Sequence, residues 1–160
     1  MNKTKGNKRG NKMKVVEEKT SESKTQERSK LKMLIVEDDF PSCKIMEEYL
    51  AEYGDCTVAA NGVQGVEAFK KALETGSPYN LVCLDIMMPE MDGHEALRTI
   101  RQIEQEHGIF DPSGVRIIMT TAKDRSRDMI EAFDEGCASY LVKPVDQEKL
   151  VAEMQKLGLI

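Results

Sequence analysis

From Leu31 onward the chain repeats one pattern five times: a short apolar run, then a longer stretch whose apolar residues recur at helical spacing. The runs cover 31–36, 56–60, 81–84, 115–119 and 139–142. Ile45, Met46, Tyr49, Leu50 and Tyr53 follow the first run, and Val63, Val66, Phe69, Ala72 and Leu73 the second. Leu97, Ile100 and Ile103 follow the third, a stretch over 126–135 the fourth, and Leu150, Val151, Met154 and Leu157 the last, behind Asp146 as a cap. Continuous apolar runs predict strands buried on both faces. Connections long enough for a helix make neighbouring strands parallel. The pattern therefore predicts a doubly wound α/β domain. Pro41 suits a first helical turn. Gly54 reads as the stop of the first helix, Asn61-Gly62 as a turn, and 108–114 as a connecting loop.

Charge divides the chain in two. Residues 1–30 hold eight Lys, two Arg and four Glu, a net of +6. The whole chain is −5, which leaves −11 for 31–160. Only Met1, Met13, Val15 and Val16 are apolar in 1–30, so that segment is expected to be a disordered basic tail on an acidic domain at 31–160. The tail leaves an arm for nucleic acid or an anionic surface open, although a solvated tail is the plainer reading. No run approaches the ~18 apolar residues of a membrane span, and no apolar segment follows the basic start. A cytoplasmic protein without membrane insertion is expected. Cys43, Cys56, Cys83 and Cys137 form no CxxC pair and read as buried, reduced thiols. Glu95, Glu104 and Glu106 read as a solvated helix face.

In an open parallel sheet, ligands bind beyond the carboxyl ends of the strands. Asp38-Asp39 stand at the end of the first run, Asp85 at the end of the third, Thr121 at the fourth and Lys143 at the fifth. Three carboxylates brought together repel one another and call for a cation. Hard oxygen ligands with room for water and phosphate favour Mg²⁺. A nearby ammonium and hydroxyl suit a phosphoryl group carried on a carboxylate.

The segments Leu34-Ile-Val-Glu-Asp38-Asp39-Phe40, Leu84-Asp85-Ile-Met-Met-Pro89-Glu-Met-Asp92-Gly93, Met119-Thr-Thr121-Ala122 and Gly136-Cys-Ala-Ser-Tyr140-Leu-Val-Lys143-Pro144 occur in this order. The chain thereby resembles a receiver domain of two-component response regulators over 31–157. The resemblance implies a flavodoxin-like sheet of order 2-1-3-4-5, with Asp85 phosphorylated by a histidine kinase or a phosphotransfer protein. It implies Mg²⁺ held directly by Asp39, Asp85 and the backbone carbonyl of Met87, and by Asp38 through water. It gives Lys143 and Thr121 to the phosphoryl oxygens, Thr121 and Tyr140 to a conformational switch, and a cis Lys143–Pro144 bond. The resemblance also implies that Met87, Lys123 and Val145 stand at positions that tune the phosphoryl lifetime. With only Gly158, Leu159 and Ile160 after Leu157, the chain is expected to signal by binding an unidentified protein target through about 126–156, or to relay the phosphoryl group onward. Enzymatic turnover is not expected: dehalogenase-type phosphatases place a second acid two residues after the nucleophile, where this chain has Met87. A constitutive binding module is the third reading.

Overall fold

The computed structural model describes residues 29–122 and 126–160. The basic tail, apart from its last two residues, and Lys123 lie outside the described residues. The elements alternate as β1 (Leu31–Val36), α1 (Phe40–Leu50), β2 (Gly54–Ala59), α2 (Gly62–Glu74), β3 (Leu81–Asp85), α3 (Gly93–Glu106), β4 (Arg116–Thr121), α4 (Ser126–Asp134), β5 (Ser139–Val142) and α5 (Gln147–Lys156). The five strands form one sheet in the order β2-β1-β3-β4-β5, with all neighbours parallel. This is the flavodoxin-like arrangement.

Alternate residues of each strand face opposite sides of the sheet, so each continuous run feeds two cores. Leu34, Val36, Val82, Leu84, Ile117 and Met119 meet Phe69 of α2, Leu97 and Ile100 of α3, and Ala132 of α4. Met33, Ile35, Leu81, Cys83 and Ile118 meet Cys43, Met46 and Leu50 of α1 and Leu150 and Met154 of α5. Met33 is thus a buried residue inside β1. The cysteines are free; Cys43, Cys83 and Cys137 are buried and Cys56 is half-buried. No helix among the described residues is long and apolar enough to cross a membrane.

Two local expectations change. Gly54 does not stop α1, which ends at Leu50; it opens β2 opposite Leu31. A Cβ at Gly54 would lie 1.9 Å from the Leu31 carbonyl oxygen, so the close approach of two strands, not a helix end, requires the glycine. Glu104 is not part of a solvated face. It is 3% exposed. Its Oε1 accepts from the Val115 backbone N–H at 2.6 Å and its Oε2 from Arg101 Nη1 at 2.6 Å. Arg101 in turn donates to the carbonyls of Val115 and Gly136. A buried carboxylate is tolerated where it is paired and hydrogen-bonded, and this one ties α3 to the start of β4. Periodicity marks Glu104 as polar but cannot say what the loop 108–114 folds back to cover.

Replacing Glu104 by Ala leaves a buried N–H and a guanidinium unpaired, a loss of about 3–5 kcal/mol by the usual magnitude for breaking a buried pair. Glu95→Ala, on the exposed side of α3, should stay within about 0.5 kcal/mol. Urea denaturation of the two variants measures the contrast.

Candidate functional site

Parallel strands bring their carboxyl ends to one edge, and this geometry gathers the residues singled out above. Asp85 ends β3 and is buried. Thr121 ends β4 and is buried. Lys143 follows β5, and its N–H donates to the Thr121 carbonyl at 2.6 Å. The Lys143–Pro144 peptide bond is cis, as is Asp111–Pro112 in the loop 108–114. The Lys143 ammonium donates to Glu37 Oε2 at 2.5 Å and lies 3.1 Å from Asp85 Oδ1.

Glu37 was not among the expected ligands. It follows β1 directly, its N–H donates to Ala59, and its side chain is buried. Glu37, Asp38 and Asp85 bring one carboxylate oxygen each within 4.8 Å of the others. Asp39 is not in that group. It is the N-cap of α1, where Oδ2 accepts from the Ser42 N–H at 3.0 Å and from the Ser42 hydroxyl at 2.6 Å. Its own N–H donates to Glu37 Oε1 at 3.1 Å. The acid pair on the first strand therefore stands one residue earlier than the expected Asp38-Asp39. The signal was present: an Asp just before the first turn, with Pro41 following, is an N-cap signature.

The loop after Asp85 is equally determined by packing. The Gly93 N–H donates to the Ile86 carbonyl at 2.8 Å. A Cβ on Gly93 would lie 2.3 Å from the Asp85 carbonyl oxygen. Asp92 caps α3 by accepting from the Glu95 N–H. Glu90 takes a positive φ of 68° between them. The run from Pro89 to Gly93 is thus a tight return that presses the first turn of α3 against the backbone of Asp85. The Met87 side chain is exposed, and the Met87 N–H reaches Asp85 Oδ1 at 3.4 Å. Tyr140 is half-buried and packs against the core beside α3 and α4. Val145 packs on the opposite core beside α1 and α5.

Burial pushes the Asp85 carboxyl above its ordinary value, against the pull of Lys143. Burial does the same to Glu37, opposed by its bond to Lys143 and reinforced by the charge of Asp85. Burial alone would lower the Lys143 ammonium, but the Glu37 hydrogen bond and the Asp85 charge outweigh it and leave its pKa raised. The Ser42 hydrogen bonds hold Asp39 below the usual carboxylate range. The ammonium thus only partly offsets two buried acids and one exposed acid. Such a group fits a hard divalent cation bound through oxygen, with Asp38 open to solvent. The buried Thr121 hydroxyl has no hydrogen-bond partner among the described residues, and it stands at the same edge.

The profile of the response regulator receiver domain matches residues 33–155. The chain belongs to this family. It is 36% identical over 134 residues to hybrid signal transduction histidine kinase B of Dictyostelium discoideum, a match that covers 80% of the chain and 7% of that protein. The chain spans between 7% and 55% of the length of the first curated relatives it matches. Among solved structures, the receiver domain of the Arabidopsis thaliana histidine kinase CKI1, complexed with Mg²⁺ and BeF₃⁻, superposes with a TM-score of 0.69 at 27% identity, covering 80% of this chain and 89% of that one. The receiver domain of Ssk1 from Saccharomyces cerevisiae, crystallised with the phosphotransfer protein Ypd1, superposes with a TM-score of 0.69 at 28% identity, covering 81% and 89%. The receiver fold thus places the carboxylate group, Lys143 and Thr121 at the edge where ligands bind in such sheets.

Calorimetric titration with a divalent cation should separate the three consecutive acids. Asp38→Asn should weaken binding by roughly tenfold or more, the scale of loss seen when even supporting groups of a metal site are removed. Asp39→Asn, which keeps a good N-cap, should bind as the unaltered protein does.

Proposed function

We propose that this receiver domain accepts a phosphoryl group on Asp85 and carries the resulting change to a protein partner. The observation that supports it most is the Lys143 ammonium held between Glu37 and Asp85, at 2.5 and 3.1 Å, over a group of three carboxylates. A structural ion pair would need one acid; this lysine faces two, with a third open to solvent. Glu37, Asp38 and Asp85, with the Met87 carbonyl that the family resemblance implies, would hold Mg²⁺, which supplies charge neutralisation for incoming phosphoryl oxygens. Asp39 serves instead as the cap that sets the start of α1.

The chemistry follows from the residues. An Asp85 carboxylate oxygen attacks the phosphorus of a phosphohistidine on a kinase or phosphotransfer protein. The P–O bond to Asp85 forms as the P–N bond breaks, and the departing imidazole keeps the electron pair and takes up a proton. Lys143 balances charge on the transferred group, because its ammonium already lies against Asp85. Thr121, whose hydroxyl has no partner among the described residues, would donate it to a phosphoryl oxygen. Tyr140, half-buried on the adjacent strand, is the proposed partner of Thr121 in the switch. The complex of the Ssk1 receiver with Ypd1 supports a phosphotransfer protein as the kind of donor. For output, Ile130 and Phe133 of α4 and Val142 of β5 are 62%, 49% and 46% exposed, an apolar face suited to a protein target.

Incubation with acetyl phosphate and Mg²⁺ tests the reading by intact-mass measurement. The protein should gain one base-labile phosphoryl group, and Asp85→Asn should gain none. Lys143→Ala should slow the gain by roughly 10²-fold, as for removal of one charge-stabilising donor. No gain by the unaltered protein would leave a constitutive binding module as the better account.

A further inference from the structure

On the face of α3 turned toward α4, three side chains at helical spacing, His94, Arg98 and Arg101, all reach the two residues Glu135 and Gly136 that close α4. His94 Nδ1 lies 2.7 Å from Glu135 Oε2. Arg98 pairs with the other oxygen of Glu135. Arg101 donates to the Gly136 carbonyl from Nε at 3.1 Å and Nη2 at 2.7 Å. His94, Glu131 and Glu135 also bring ligand atoms within 4.8 Å of one another. That trio is an ion-pair network and not a metal centre, because Arg98 already lies against both carboxylates, 3.9 Å from Glu131 Oε1.

His94 differs from the two arginines in three ways. It is 6% exposed, whereas the arginines reach solvent. It follows Gly93, whose Cα is pressed against the Asp85 backbone. Its second nitrogen, Nε2, is buried without a partner among the described residues. A carboxylate only accepts hydrogen bonds, so the Nδ1–H donates to Glu135 Oε2. Breaking that bond would leave a buried ring with no hydrogen bond to any described residue, an unfavourable state. The first turn of α3 and the end of α4 are therefore held to move together and not to separate.

Resting on the phosphoacceptor reading above, we propose that His94 is the residue that couples Asp85 to α4. Displacement of the Asp85 backbone is passed through Gly93 to His94, and through Glu135 to the helix that carries Ile130 and Phe133. The path is contiguous and short. It runs through the first turn of α3 and the end of α4 rather than through the Thr121 hydroxyl. His94 is a positioning residue: it touches neither the acceptor carboxylate nor the transferred group.

The test uses the full chain with Mg²⁺ and beryllofluoride as the phosphoryl mimic. Fluorine resonance reports binding at Asp85, and amide hydrogen exchange reports α4 (Ser126–Asp134). Beryllofluoride should change exchange in α4 of the unaltered protein. His94→Leu should still bind beryllofluoride but should shrink that change by about threefold or more, within the usual range for residues that carry coupling. His94→Asn, which returns an N–H near the position of Nδ1, should restore it. If His94→Leu does not fold, Glu135→Ala, altered at the outer end of the same bond, should show the same loss. An α4 response in His94→Leu or Glu135→Ala equal to that of the unaltered protein overturns the coupling role. Failure of His94→Asn to restore the response also overturns it. If the unaltered protein does not bind beryllofluoride, the phosphoacceptor reading falls and this inference falls with it.

Discussion

The site depends on one ammonium group placed between two buried carboxylates. Glu37 and Asp85 are both nearly out of water, and each is pushed toward its protonated form by burial. Two like charges at about 4 Å repel by about 4 kcal/mol at an effective dielectric near 20. Lys143 is what makes the arrangement tolerable, with bonds of 2.5 and 3.1 Å to the two acids. It reaches them only because β5 lies beside β4 and β4 beside β3, so that the chain leaving Val142 arrives next to the end of Asp85. The sheet order is thus a requirement of the electrostatics as well as a consequence of packing.

Around this centre the neighbouring helices supply the precision. The cap of α1 uses Asp39 and Ser42 for local hydrogen bonding, and the same turn directs the Asp39 N–H to Glu37. The entry to α3 uses Gly93 where any side chain would collide with the Asp85 carbonyl. Further along, Arg101 and Glu104 fasten α3 to β4 and to the turn before β5. One helix therefore braces both the strand that carries the acceptor and the turn that leads to the lysine strand. That bracing is why a buried glutamate is kept where an apolar residue would fill the space.

The legible parts of this chain were those set by local pattern. Asp85 is marked by the abrupt end of an apolar run, and Thr121 and Lys143 by their places at the ends of neighbouring runs. The parts that were not legible turned on a single-residue register or on a long-range partner. Glu37 and Asp39 are both acids beside Asp38, and composition cannot say which one a helix cap removes from the site. Glu104 has the spacing of a surface residue until the loop 108–114 closes over it. His94 has no neighbour in sequence that suggests Glu135, 41 residues away.

The sequence by itself determined the architecture: five apolar runs too continuous for a one-sided sheet, joined by helices, admit few arrangements other than a parallel doubly wound sheet. It also determined which residue ends the third strand, and so which carboxylate stands at that edge of the sheet. Only the tertiary structure decided which two acids of the three consecutive ones join it, and which buried glutamate and histidine tie α3 to its neighbours. The physical reason is that strand and helix periodicities are local properties of the chain. Hydrogen-bond satisfaction of a buried polar group is settled only when distant segments have packed around it.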